Sequence, residues 1–234
     1  MMNKDVDFYC QNAKMRAHRL LLVSELSRRN LLANSFTSML KENPHFTCEE
    51  TTLEHVTNVL LKLFSTNNDI PQEAKDYLVQ FSANWQPMLL DNTSGVDLEA
   101  HVVTEYYERS YFSLVSETGM DHYLRLSEKT FKPLANYHPY IVIGCHGTLR
   151  YLKSLGYETF PEFFDESYDE ETNIPKRLLM VVDEVEKFAK LSKEEKDHRL
   201  LSVKDKLIHN HNLFFNVLPD KNRERIRQIF SEMK

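Results

Sequence analysis

Glycine is scarce in this chain, 5 of 234 residues, about 2% against a usual ~7%. Hairpin-rich sandwiches and barrels need glycine at their tight turns, so the shortage favours long helices joined by few sharp corners. Cysteine is scarcer still. Cys10, Cys48 and Cys145 are odd in number, far apart and outside any Cys-x-x-Cys spacing. They support neither a disulfide framework nor a zinc finger, and they fit a reducing cytoplasm. Aliphatic runs such as Leu20 to Val23 fall far short of the ~20 residues that cross a bilayer. The opening MMNKDVDFYC carries acids where a signal peptide would need an apolar stretch. Positive charge is not in excess either: 29 Lys and Arg against 35 Asp and Glu give −6. That excludes a nucleic-acid grip over the whole surface and leaves room for a local cationic pocket. What is present is a core-forming composition, 41% apolar and 11% aromatic, which excludes disorder of the whole chain. The length suits one large domain or a core with a helical annex.

Val6 to Cys10, rich in β-branched and aromatic residues, predicts a short strand. Leu20, Val23, Leu26 and Leu31 predict a helical stripe over 16–32, so the chain opens as a βαβ unit does. Helical spacing recurs at Leu53, Val56, Leu60, Leu61 and Phe64, and again from Pro71 to Phe81, with a loop at Asp91 to Gly95. Strands are expected near Ala100 to Glu105, Tyr111 to Glu117 and Pro139 to Gly144. Helices are expected at 127–137 and 148–155, and from Ile174 almost to the end, where mixed charge marks solvated faces. The expected class is α/β, a Rossmann-like parallel sheet with additional helices. Its organisation is a nucleotide-type domain over 1–173 with a helical insertion at about 44–98, then a C-terminal helical extension over 174–234.

Chemistry concentrates where strands give way to helices. Ser127 stands where a helix N-cap belongs, followed by Glu128 and Lys129. Backbone N–H groups at such an end attract phosphate, and an adjacent Lys adds a full charge. A neighbouring carboxylate can instead accept hydrogen bonds from ribose hydroxyls. The competing reading is a capping acid beside a solvated lysine. Pro133 limits how far back a regular helix extends, which leaves a start nearer Thr130 as the alternative. After the first strand come Asn12, Lys14, Arg16, His18 and Arg19; an Arg there suits a bidentate phosphate contact, or is a surface cation before a helix.

The stretch from Tyr111 to Gly144 resembles the donor-nucleotide half of the α-1,3-fucosyltransferase family, and more closely the small fucosyltransferase-like proteins of phages and other viruses. The resemblance rests on Ser116-Glu117-Thr118, Leu126-Ser127-Glu128-Lys129 and Pro139 to Gly144. It implies a GT-B donor-half fold and an inverting transferase using a donor of GDP-fucose type, with no metal or other cofactor. It implies that Lys129 binds the diphosphate, that Glu128 contacts the ribose, and that Glu117 fills the acidic strand-end position, where Thr118 replaces a common Asn or Ser. On the N-terminal side Arg19 best matches the phosphate-binding Arg, with Arg16 second. The family's acceptor half, which supplies the catalytic base, has no counterpart before residue 8. Acceptor and base would then come from the insertion at 44–98, from a partner chain, or not at all, so the catalytic residues stay unassigned. The other reading the resemblance leaves open is a non-catalytic nucleotide-sugar or glycan-binding module, or an interaction subunit of viral or phage origin, which would work in a host cytoplasm. The partners expected are a nucleotide-sugar donor and a glycan or protein acceptor, without membrane or nucleic acid.

Two further loops qualify. His146-Gly147 could offer amides to a phosphate or sugar, or Gly147 could simply let strand turn to helix. Asp165 to Asp169 is an acid cluster best explained as helix capping. His209 and His211 lack the i, i+4 spacing and the carboxylates of a helical metal pair.

Overall fold

The computed structural model describes residues 4–39, 52–65, 69–90, 102–120 and 123–224. Four strands, β1 (Val6–Asn12), β2 (Ser35–Met39), β3 (Ser110–Ser116) and β4 (Tyr140–Ile143), form one sheet in the order β2-β1-β3-β4. Every pairing is parallel. Parallel strands need covered crossovers, and helices provide them: α1 (Ala17–Arg28), α2 (Leu53–Ser65), α3 (Gln72–Ala83), α4 (Thr104–Arg109) and α5 (Glu128–Ala135), with α6 (Thr148–Ser154) following β4. A C-terminal run follows, α7 (Ile174–Ala189), α8 (Lys193–Ser202) and α9 (Lys204–Asn212). The fold is α/β with a Rossmann-like parallel sheet.

Alternation along the strands feeds both faces of the sheet. Phe8 pairs in register with Phe112, and their rings stack at 5.7 Å while Phe112 meets Phe164 and Phe188 edge-on. One residue on, Tyr9 pairs with Ser113; Tyr9 packs against Tyr106 and Tyr107 of α4. Val181, Val182, Val185 and Phe188 of α7 join the same buried cluster as the strand residues. The C-terminal helices therefore share the sheet's core. A buried ion pair ties them to β1: Lys196 of α8 meets Asp7 at 2.7 Å.

Two sequence expectations need correction. Strand β2 was not expected. Within the expected strand at 100–105, Val102 and Val103 lie outside any strand, and Thr104 and Glu105 already belong to helix α4; Ala100 and His101 lie outside the described residues. The aromatic pair Tyr106–Tyr107 is used to cover Tyr9, not to extend β3. Helix α5 starts at Glu128, as a Ser127 cap predicts and ahead of the alternative start near Thr130, because Ser127 in extended conformation accepts the Lys129 N–H. Pro133 then sits inside a short helix whose cap has already fixed its first turn. Cys48 and the loop at 91–95 also lie outside the described residues.

Candidate functional site

The connection β1–α1–β2 runs to one side of β1, whereas β3 lies on the other side. Strand order thus reverses between β1 and β3. In open parallel sheets ligands bind outside the carboxyl ends of the strands at such a switch point, where two loops diverge and leave a crevice. Here the loops are 13–16, entering α1, and 117–127, entering α5.

A cleft of about 150 Å³ opens there, lined by Gln11, Ala13, Lys14, Arg16, Arg19, Thr118, Glu128, Lys129 and Lys132. Five cationic side chains face one carboxylate in a protein whose overall charge is −6. Such clustering raises the local potential for anions well above what the bulk surface offers.

Each cation is held differently. Arg19 is buried, 2% exposed, and its guanidinium donates to the carbonyls of Lys14 (2.9 Å), Ser116 (3.2 Å) and Glu117 (3.3 Å). Burial first, then the like charge of Arg16, pushes it down to about 10, partly opposed by Cys10, Glu117 and Glu128. It stays charged at neutral pH, a fixed positive floor beneath the cleft. Arg16, N-terminal to α1, is half-buried. No carboxylate among the described residues pairs with it. Lys129 pairs with the neighbouring Glu128 carboxylate and lies 3.5 Å from the Ser127 hydroxyl. Lys132 Nζ lies 3.4 Å from Gln11 Oε1, one turn along α5 from Lys129. Burial would raise the Glu128 carboxyl, but the Lys129 hydrogen bond and charge, with help from Lys132, hold it below the usual range.

Glu117 plays another part. It is fully buried, and its carboxylate accepts from Thr118 N–H (3.2 Å), Ser127 N–H (3.0 Å), Ser127 Oγ (2.6 Å) and Thr130 Oγ1 (2.5 Å). Four donors leave it no capacity for a ligand. It closes the 117–127 loop onto the first turn of α5 and so fixes where Lys129 stands. The expected ligand contact at Glu117 is replaced by a positioning role, and Ser127 is committed with it. His18, half-buried beside the cleft, donates Nε2–H to the Glu117 carbonyl at 2.9 Å, and desolvation with the charge of Arg19 pushes it down to about 3.

Asn12, Arg19 and Ser116 meet at this strand edge, and each has a buried atom (Oδ1, Nε and Oγ) without a hydrogen-bond partner among the described residues. Buried polar atoms are rarely left so, and these lie in the strand ends beneath the cleft, with Asn12 and Ser116 outside its lining. No protein-family model, curated protein or solved structure matches this chain.

His146 and Gly147 stand apart. The amides of Leu149 and Arg150 at the start of α6 donate to the Asp169 carboxylate at 3.0 and 3.1 Å, and Gly147 N–H donates to the Asp169 carbonyl. The helix entrance is already filled by an acid of the chain itself, which is the capping expected of the 165–169 cluster. Gly147 adopts φ 77°, the left-handed turn that glycine adopts without strain. His146 faces Glu170 at 3.8 Å and lines neither this cleft nor the groove beside it.

Of the residues expected from the sequence, Arg16, Arg19, Glu128 and Lys129 share one cleft; Arg19 matches the expected position best, but Arg16 is the more accessible. Sequence reasoning passed over Lys132, although an i, i+3 repeat of lysine on a helix marks one face.

Proposed function

We propose that this chain binds the diphosphate of a nucleoside-diphosphate sugar, of GDP-fucose type, at the β1/β3 switch point and transfers the sugar with inversion. The observation that carries the reading is the convergence of five cations from loops separated by about half the polypeptide. Lys129, Lys132, Lys14 and Arg16 would contact phosphate oxygens while Arg19 supplies a fixed field from below. A diphosphate competing for Lys129 would release Glu128 to accept the ribose hydroxyls. Charge grows on the diphosphate as the glycosidic bond breaks, and preorganised cations lower that barrier.

One observation favours a second reading, a nucleotide-sugar-binding module without catalysis. The carboxylates at the cleft are committed, Glu117 to four donors and Glu128 to Lys129, so no uncommitted base stands there among the described residues. Incubation with GDP-fucose separates the two. Binding with slow GDP release, the transfer to water that competent enzymes usually show, upholds the transferase. Binding without release, even with candidate acceptor glycans present, assigns the module. Absence of binding removes both.

A further inference from the structure

Beside the cationic cleft runs a larger cavity, about 470 Å³, sharing Arg16 and Thr118 with it. Its volume falls within the ~300–1,000 Å³ of small-molecule sites. Its walls are mainly apolar: Leu21 from α1, Val56, Val59, Leu60 and Leu63 from α2, Met120, and Ile174, Pro175 and Leu178 at the start of α7. On α2, Val56, Leu60 and Phe64 point into the core at i, i+4 and i+8. Val59 and Leu63 lie on the adjacent line and remain 43% and 36% exposed. An apolar face wider than packing requires is the mark of a surface with a second occupant.

The charges around it state what the occupant carries. Arg16 and Arg125 line the groove, and among the described residues no carboxylate does. His18, held neutral by burial, adds no charge at neutral pH. A hydrocarbon wall with cations and no acids complements a hydrocarbon chain ending in an anion.

Resting on the nucleotide-sugar reading, we infer that the acceptor is a lipid phosphate, its chain in this groove and its head at Arg16 and Arg125, against the donor's diphosphate. The chemistry of such an acceptor fits the committed carboxylates. A phosphate monoester, with a second pKa of ~6, presents an anionic oxygen at neutral pH, so no base need remove a proton. That oxygen attacks the anomeric carbon and forms the new C–O bond. The bond from that carbon to the diphosphate oxygen breaks, and its electron pair leaves with the nucleoside diphosphate. No proton changes hands.

The test uses the full chain, calorimetry and three probes: decyl phosphate below its micelle concentration, inorganic phosphate, and decyl maltoside. Each buried methylene strengthens binding about fourfold, so decyl phosphate is expected to bind at least tenfold more tightly than either of the other two. Val59→Gln and Leu63→Gln, at partly exposed positions, should each weaken decyl phosphate at least fivefold while GDP affinity and melting temperature hold. Decyl phosphate binding no tighter than inorganic phosphate, or no tighter than the maltoside, overturns the inference. So does pelleting on phosphatidylserine vesicles without binding of monomeric decyl phosphate, which would make the groove a membrane contact. GDP bound without decyl phosphate removes this inference alone; decyl phosphate bound without GDP upholds the lipid site and removes the donor reading.

Discussion

Replacing Glu117 by Gln is a one-atom change whose consequence is large because of where the carboxylate sits. Its Oε1 serves Ser127 N–H and Thr130 Oγ1, and its Oε2 serves Thr118 N–H and Ser127 Oγ. An amide keeps one acceptor oxygen and turns an NH₂ toward the other pair. The Ser127 hydroxyl can rotate to accept; the Thr118 N–H cannot, and it loses its acceptor. Losing charged hydrogen bonds of this kind costs ~1.5–3 kcal/mol. The substitution also removes a negative charge beside buried Arg19, so the total is about 3 kcal/mol. For a chain of this size that lowers Tm by about 6–12 °C. Thermal unfolding at neutral pH measures it, with the exposed Glu105→Gln as the neutral comparison. GDP affinity should fall as well, because the first turn of α5 loses its tether and Lys129 its position. A loss below about 1 kcal/mol would refute the clasp.

Acid should weaken the fold before carboxylates titrate. His18 and His138 are pushed down to about 3, in each case by burial first and then by a nearby cation, Arg19 and Lys4 respectively. His138 donates Nε2–H to the Ser110 carbonyl and accepts from Ser113 Oγ at Nδ1, both at 2.8 Å, so the neutral ring is fully bonded. Unfolded imidazoles take up protons below about 6.5 while folded ones do not until about 3, so stability present above 6.5 declines as pH falls. Two such groups give a loss of about 3 kcal/mol between pH 6.5 and 5; urea unfolding across that range checks it, and a flat profile contradicts it. Lys196→Met strands the buried Asp7 carboxylate and should destabilise by ~3–5 kcal/mol, whereas the double variant with Asp7→Leu should recover most of that loss.

The elements that the sequence disclosed are those whose pattern is strong over their whole length: β1, β3 and β4 with buried β-branched and aromatic runs, α1 with its leucines, α7 with Val181, Val182 and Val185. Strand β2, Ser-Phe-Thr-Ser-Met, has only two apolar residues and owes its state to pairing with β1, a tertiary effect no local window carries. Residues 102–105 misled because Val102 and Val103 carry high β-propensity, while the tyrosines that follow pack as a helix on Tyr9. At the site, charge and strand-to-helix position were enough to identify Arg16, Arg19, Glu128 and Lys129. The fate of Glu117 was not legible, because its four donors come from residues up to 13 positions away and only the folded loop brings them together.

The central claim is that cations from α1 and α5 grip one diphosphate. Calorimetric titration of GDP into the wild-type chain, Arg16→Gln and Lys129→Ala measures it most directly. A charge-assisted contact to phosphate, which at Lys129 must first displace Glu128, is worth ~1–2 kcal/mol, so each substitution should weaken GDP about 5- to 30-fold. Each should also flatten the salt dependence, since fewer screened charges take part. GDP affinity unchanged in both variants, or no measurable GDP binding by the wild-type chain, contradicts the account.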